Sequence, residues 1–138
     1  MSSSGVSWNG FLEALHSAWI DELTERYPEP KPTLGMPIRA KGFLSPSEDI
    51  LETLVISVTL SASRGWVVLA GEPGLDLRSI WTGVQRRAQA EFARRSILPA
   101  LGEPAFSADE ATFPPAARAI WIPIELGASK KCFLGFGA

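Results

Sequence analysis

Apolar residues recur at intervals of three and four through the first stretch of the chain: Trp8, Phe11, Leu12, Leu15, Trp19, Leu23 and Tyr27. That spacing is the period of an α-helix with one buried face and predicts a helix over 7–27. Ser7 or Asn9 offers a side-chain acceptor for its first-turn amides, and residues 1–6 are expected to form a disordered tail. Glu13, Asp21, Glu22 and Glu25 make the outer face acidic. Pro28, Pro30 and Pro32 end the helix, because proline lacks an amide N–H and biases its predecessor to extended geometry. The pattern then changes to period two. Ile38 and Ala40 alternate with Arg39 and Lys41 in a weak edge strand over 36–43, and Ser45-Pro46-Ser47-Glu48 has the form of a helix start with room only for a turn over 46–51. Leu54, Ile56, Val58 and Leu60 face one way and Val55, Ser57 and Thr59 the other, as in a strand with one buried side. After a turn over 61–65, Trp66-Val67-Val68-Leu69-Ala70 is apolar on both faces and predicts a central strand.

A break at Gly71-Glu72-Pro73-Gly74 leads to Asp76, a good cap for a second helix whose stripe is Leu77, Ile80, Trp81, Val84, Ala88 and Phe92. Gly83 inside that helix costs about 1 kcal/mol relative to alanine unless something packs closely against it, and the first helix is the expected neighbour. Pro99, Gly102 and Pro104 are expected to end it. The stretch 103–117 shows no period and is read as a loop, longer than is usual in a compact domain. Ile120, Ile122, Ile124 and Leu126, then Cys132, Leu134 and Phe136, predict a terminal hairpin whose first strand has an edge or bulge at Pro123. The order α-β-β-β-α-β-β makes residues 1–138 a single α+β domain, with a mainly antiparallel sheet of about five strands packed against two main helices.

Composition narrows the function. A chain of 138 residues, 46% hydrophobic with five tryptophans, builds a core without help from disulfides or metal. A net charge of -2 lacks the basic excess of a nucleic-acid binder. Neither a signal sequence nor an apolar run of ~18 to 20 residues is present, so no membrane partner is expected. The single cysteine, Cys132, forms no internal bridge and suits the reducing cytoplasm.

Catalytic constellations are missing. His16, the only histidine, borders the first apolar stripe, and Cys132 sits in an apolar strand beside Phe133. Neither has the base and orienting group of a nucleophilic triad, and together they are too few for a metal site. Gly71-Glu72-Pro73-Gly74 places an acid and a proline where a phosphate loop needs free amides. No catalytic residue, cofactor or metal is therefore expected. The strongest polar feature is the second helix's set of Arg86, Arg87, Glu91, Arg94 and Arg95. It reads as a contact surface for an acidic protein or phosphorylated group, or as a solvated face with cations near the helix C-terminus. The preferred function is a non-catalytic protein-protein interaction or regulatory domain, with self-association as one form. The alternative is a small anionic-ligand or phosphoryl-handling domain whose pocket lies between the sheet and the 103–117 loop, lined by Trp66, Trp81 or Trp121 and closed by Arg94.

The hairpin ending in Gly65-Trp66-Val67-Val68-Leu69-Ala70 and leading into a helix resembles the CheC/CheX chemotaxis phosphatase group over 54–98. The resemblance implies an antiparallel hairpin followed by helices, and a Glu followed three residues later by Asn, the pair that positions water at a phosphoaspartate. The nearest match here is Glu91-Phe92-Ala93-Arg94, with arginine where the amide should be, and one long helix is evident where the resemblance implies two.

Overall fold

The computed structural model describes residues 4–28, 31–43, 52–72, 74–107, 113–126 and 130–138. The first apolar stripe forms α1 (Ser4–Arg26), which buries Phe11, Leu15, Trp19 and Leu23. It begins earlier than the pattern predicts, so positions 4–6 are helical rather than tail, and Ser7 and Asn9 lie inside the helix instead of capping it. Trp8 anchors these first turns by packing edge-on to Phe11 at 5.7 Å and against Phe136 at 5.0 Å between ring centroids.

Eight strands follow around the second helix: β1 (Thr33–Leu34), β2 (Ile38–Ala40), β3 (Glu52–Leu60), β4 (Ser63–Gly71), α2 (Leu77–Arg94), β5 (Ala100–Leu101), β6 (Ala105–Ser107), β7 (Ala119–Leu126) and β8 (Lys130–Gly137). The α+β class is as expected, but the sheet is larger than five strands. Its antiparallel order is β1-β7-β8-β4-β3-β5, with β2 also on β7 and β6 also on β3. The additional strands are two or three residues long, too short to carry an alternation. They satisfy ladder groups that β3 and β7 would otherwise leave open at the sheet's edges. The expected loop over 103–117 therefore contains a strand, β6, paired with β3 through Leu54 and Phe106. The expected turn over 46–51 lies outside the described residues.

β4 is central as predicted, between β3 and β8. Val67 and Leu69 enter the core beneath the two helices. Val68 and Ala70 enter a second cluster on the opposite face with Phe43, Ala119, Trp121 and Phe133. Gly135 makes room there: a Cβ on it would lie 2.5 Å from the Trp121 ring. The β3–β4 connection is tighter than the expected 61–65 turn, since Leu60 pairs with Ser63 and Ser61 takes a φ of 56°.

Pro123 behaves as a local edge. Its carbonyl accepts from the Gly35 N–H at 3.0 Å. Within a strand residue the C=O and the N–H point to the same side, so proline's missing donor faces the gap between β1 and β2 and leaves the β7–β8 ladder intact.

Asp76 caps α2 as expected, accepting from the Ser79 N–H at 3.1 Å. The C-terminus differs from expectation. The Ile97 N–H donates to the Phe92 carbonyl at 2.8 Å and the Ser96 N–H to the Ala93 carbonyl at 3.2 Å, with Ser96 at a φ of 57°. This Schellman arrangement stops the helix at Arg94, before any of the three residues expected to end it. Among the described residues no helix is long and apolar enough to cross a membrane.

Candidate functional site

The two helices run antiparallel on one face of the sheet, with Phe11 stacked on Phe92 at 5.2 Å and Arg26 Nη2 donating to the Ser79 carbonyl at 2.9 Å. Gly83 sits toward the Arg26–Ser79 end of the seam. The side chain packed against it is Glu22, whose carboxylate occupies the space a Cβ would need. This is the close approach by the first helix that the glycine predicted.

Glu22 is a buried acid at 6% exposure, held from both helices. Arg26 Nε donates to Oε2 at 2.5 Å and Arg87 Nε to Oε1 at 3.0 Å. Burial works to raise its pKa, and the hydrogen bonds from Arg26 and Arg87 outweigh it, so the carboxyl lies below its ordinary range. Arg87 Nη2 also donates to Glu25.

A second cluster closes the other end of the seam. Arg94 Nη2 donates to both oxygens of Glu91, at 2.8 and 2.5 Å. Arg95 Nε approaches the same carboxylate at 3.4 Å while its Nη1 donates to Glu13 of α1 at 2.9 Å. The hydrogen bond from Arg94 leads the effects that hold the Glu91 carboxyl below its usual range.

The five residues expected to form one surface thus divide. Arg87 and Arg95 turn into the helix seam, Glu91 is gripped by two guanidiniums, and Arg86 and Arg94 face outward, the Arg94 side chain 69% exposed. The acids Glu13, Glu22 and Glu25 were expected on an outer face and are the seam's counter-charges. Glu22 was recoverable from sequence: it stands three residues after Trp19 on the apolar stripe, and four before Arg26, the favourable order for a helical ion pair.

The expected tryptophan-lined pocket forms only in part: a hollow of about 250 Å³ where Leu54 of the sheet meets Glu103 and Pro104 is lined by Trp81, but Arg94 does not close it and neither Trp66 nor Trp121 reaches it. Trp81 belongs to the core under the helices, whereas Trp66 and Trp121 lie on the opposite side of the sheet. A hollow of about 300 Å³ between the sheet and the 103–117 region is lined by Val55, Phe106 and Phe113, without tryptophan or Arg94. Cys132 is fully buried, and burial pushes its thiol up to about 12. Among the described residues no group of three or more His, Cys, Asp or Glu converges as metal ligands would.

No protein-family model matches the sequence, and no curated protein matches it. Solved structures do share the fold. A CheC-like superfamily protein from Shewanella sp. PV-4 superposes with a TM-score of 0.71 at 12% identity, over 93% of this chain and 96% of that one. The CheX–CheY–BeF3–Mg2+ complex from Borrelia burgdorferi gives a TM-score of 0.58 at 13% identity, over 95% and 96% of the two chains. The FliM middle domain from H. pylori gives 0.52 at 12% identity, over 92% and 89%. The chain is thus similar in fold to CheC, CheX and FliM proteins across nearly its whole length.

Proposed function

We propose that this chain is a non-catalytic protein-interaction domain on a CheC/CheX-like fold, and that its docking face is the outward side of α2, where Arg86 and Arg94 meet acidic groups on the partner. The observation that carries this reading is the state of Glu91. In the group this chain resembles, a glutamate and an amide three residues later position water at a phosphoaspartate. At this chain's nearest match to that pair, Glu91 is followed three residues later by Arg94, whose guanidinium grips the carboxylate through both oxygens. A carboxylate so engaged has few lone pairs left to orient water, and its lowered pKa makes it a poor base. The interaction half of the reading draws support from the Borrelia CheX, which is seen assembled with CheY.

The test is phosphate release from a phosphorylated receiver domain with and without this protein, paired with light scattering after size exclusion, for the protein alone across a concentration series and with the BeF3-bound receiver. Receiver binding or self-association with unchanged phosphate release is the expected result. Binding should weaken at least tenfold in Arg86→Glu/Arg94→Glu if the face is correctly placed. Faster phosphate release that Glu91→Ala abolishes would establish the phosphoryl-handling alternative. A strict monomer that binds no receiver would remove the interaction reading.

A further inference from the structure

Along β7, the side chains on the helix face change abruptly in exposure. Ile124 and Leu126 are 1% and 3% exposed, while Ile120 and Ile122, on the same face, are only partly covered. α1 overlies the first pair and leaves an open groove over the second. Two connected hollows occupy it, of about 410 and 190 Å³, sharing Leu12, Ile120 and Phe136 as common walls. The larger falls within the size of small-molecule sites. Its lining is apolar except at one end, where Arg39 and Arg118 stand.

Both arginines are fixed by backbone pairing. Arg39 is directly opposite Ile120 in the β2–β7 ladder, which puts the two side chains on the same face. Arg118 is tied at its backbone to Ala138, whose N–H donates to its carbonyl at 3.1 Å. Neither guanidinium has an acid partner among the described residues, unlike Arg26, Arg87, Arg94 and Arg95. The acid at the groove's other end, Glu13, is already paired with Arg95. Among the groove's side chains the uncompensated charge is therefore positive and lies at one end of an apolar trough.

We infer that this groove binds a small amphiphilic anion, with a carboxylate or phosphate head on Arg39 and Arg118 and an apolar chain lying along Leu12, Ile120 and Ile122. Guanidinium forks match either head. A straight alkyl chain suits the trough, because its methylenes leave water for the apolar walls. The site is on the opposite flank of α1 from α2, so it stands or falls separately from the docking face of the proposed function.

Titration calorimetry with decanoate, decyl phosphate and 1-decanol tests it. At least one of the two anions should bind saturably, and decanol at least tenfold more weakly. Arg39→Gln/Arg118→Gln should lose at least tenfold in anion affinity with an unchanged melting temperature, since both side chains are exposed. Location has its own readout, because Trp8 packs on Phe136, the groove wall nearest the two arginines: 2-bromodecanoate, whose bromine sits beside the head, should quench fluorescence, and Trp8→Phe should remove most of that quenching. Equal binding of decanol and decanoate, anion affinity unchanged in the double variant, or binding of an acidic amphipathic peptide without binding of either alkyl anion would overturn the inference.

Discussion

Gly83→Ala should destabilise the fold in the native sequence and stabilise it once Glu22 is gone. In an ordinary helix interior, glycine to alanine gains about 1 kcal/mol. Here the new methyl would fall on the Glu22 carboxylate. That group ends a flexible side chain, but Arg26 and Arg87 hold it at 2.5 and 3.0 Å. Moving it aside disturbs two charge-assisted hydrogen bonds. Such bonds contribute about 1.5–3 kcal/mol each when buried, less here because both guanidiniums are roughly one third exposed and water can partly replace the acid. A displacement cost of about 2–3 kcal/mol against a gain of about 1 leaves a net loss of about 1–2 kcal/mol, or roughly 3–6 °C in melting temperature for a chain of this size. In a Glu22→Ala background the obstruction and the ion pairs are both absent, and the same substitution should recover its intrinsic gain of about 1 kcal/mol. Urea denaturation of the four proteins of the cycle measures both numbers and their coupling. A stabilising Gly83→Ala in the native background, or equal effects in both backgrounds, would refute the packing of Glu22 on Gly83.

Stability should fall in two stages on acidification. His16 has its pKa lowered from 6.5 by burial, so the unfolded chain takes up its proton first and stability declines as pH drops below about 6.5. Glu22, lowered from its ordinary 4.5, adds stability that is present above that value and is lost as pH falls through its folded pKa; His16→Gln should remove the first stage and Glu22→Gln the second in a pH series of denaturation midpoints. Cys132, fully buried with its thiol near 12, should react with a thiol reagent at pH 8 only as fast as the protein unfolds, and a rapid burst in native buffer would contradict its placement. Ser96→Gly should stabilise by about 0.5–1 kcal/mol, since the helix-ending residue holds a φ of 57° that costs a side chain energy and glycine little; thermal melts check the sign.

What the sequence revealed follows the length over which each signal repeats. α1, α2, β3, β4, β7 and β8 each run eight residues or more, long enough for a period to be counted. β1, β5 and β6 have two or three residues and exist because longer neighbours need partners, which no local window contains. The Schellman stop at Ser96 carries little local signal, because serine adopts the left-handed region far less readily than glycine. The arginines of α2 were legible as charges and illegible as pairs. Glu13 meets Arg95 and Glu22 meets Arg87 across a large separation in the chain, and which arginine turns inward depends on how the two helices are rotated against each other. Gly83 was the one local sign of that rotation.

The division of the arginines decides how the docking face can be studied. Removing Arg87 uncovers a buried carboxylate, and removing Arg95 releases Glu13 and loosens Glu91, so a loss of binding in either variant would mix recognition with helix–helix stability. Arg86 has no partner among the described residues, and Arg94 reaches only Glu91 of its own helix. Charge reversal at these two positions leaves the Glu22 network and the Glu13–Arg95 bridge in place. Charge reversal at Arg94 does cost the Arg94–Glu91 pair and places two acids three residues apart, a small destabilisation on an exposed helix face. A binding loss that Arg86→Glu alone reproduces with an unchanged denaturation midpoint therefore belongs to the surface, whereas a defect that tracks the midpoint belongs to the seam. The arginine cluster the sequence presents as one feature is two, and only its smaller, outward part is free to meet a partner.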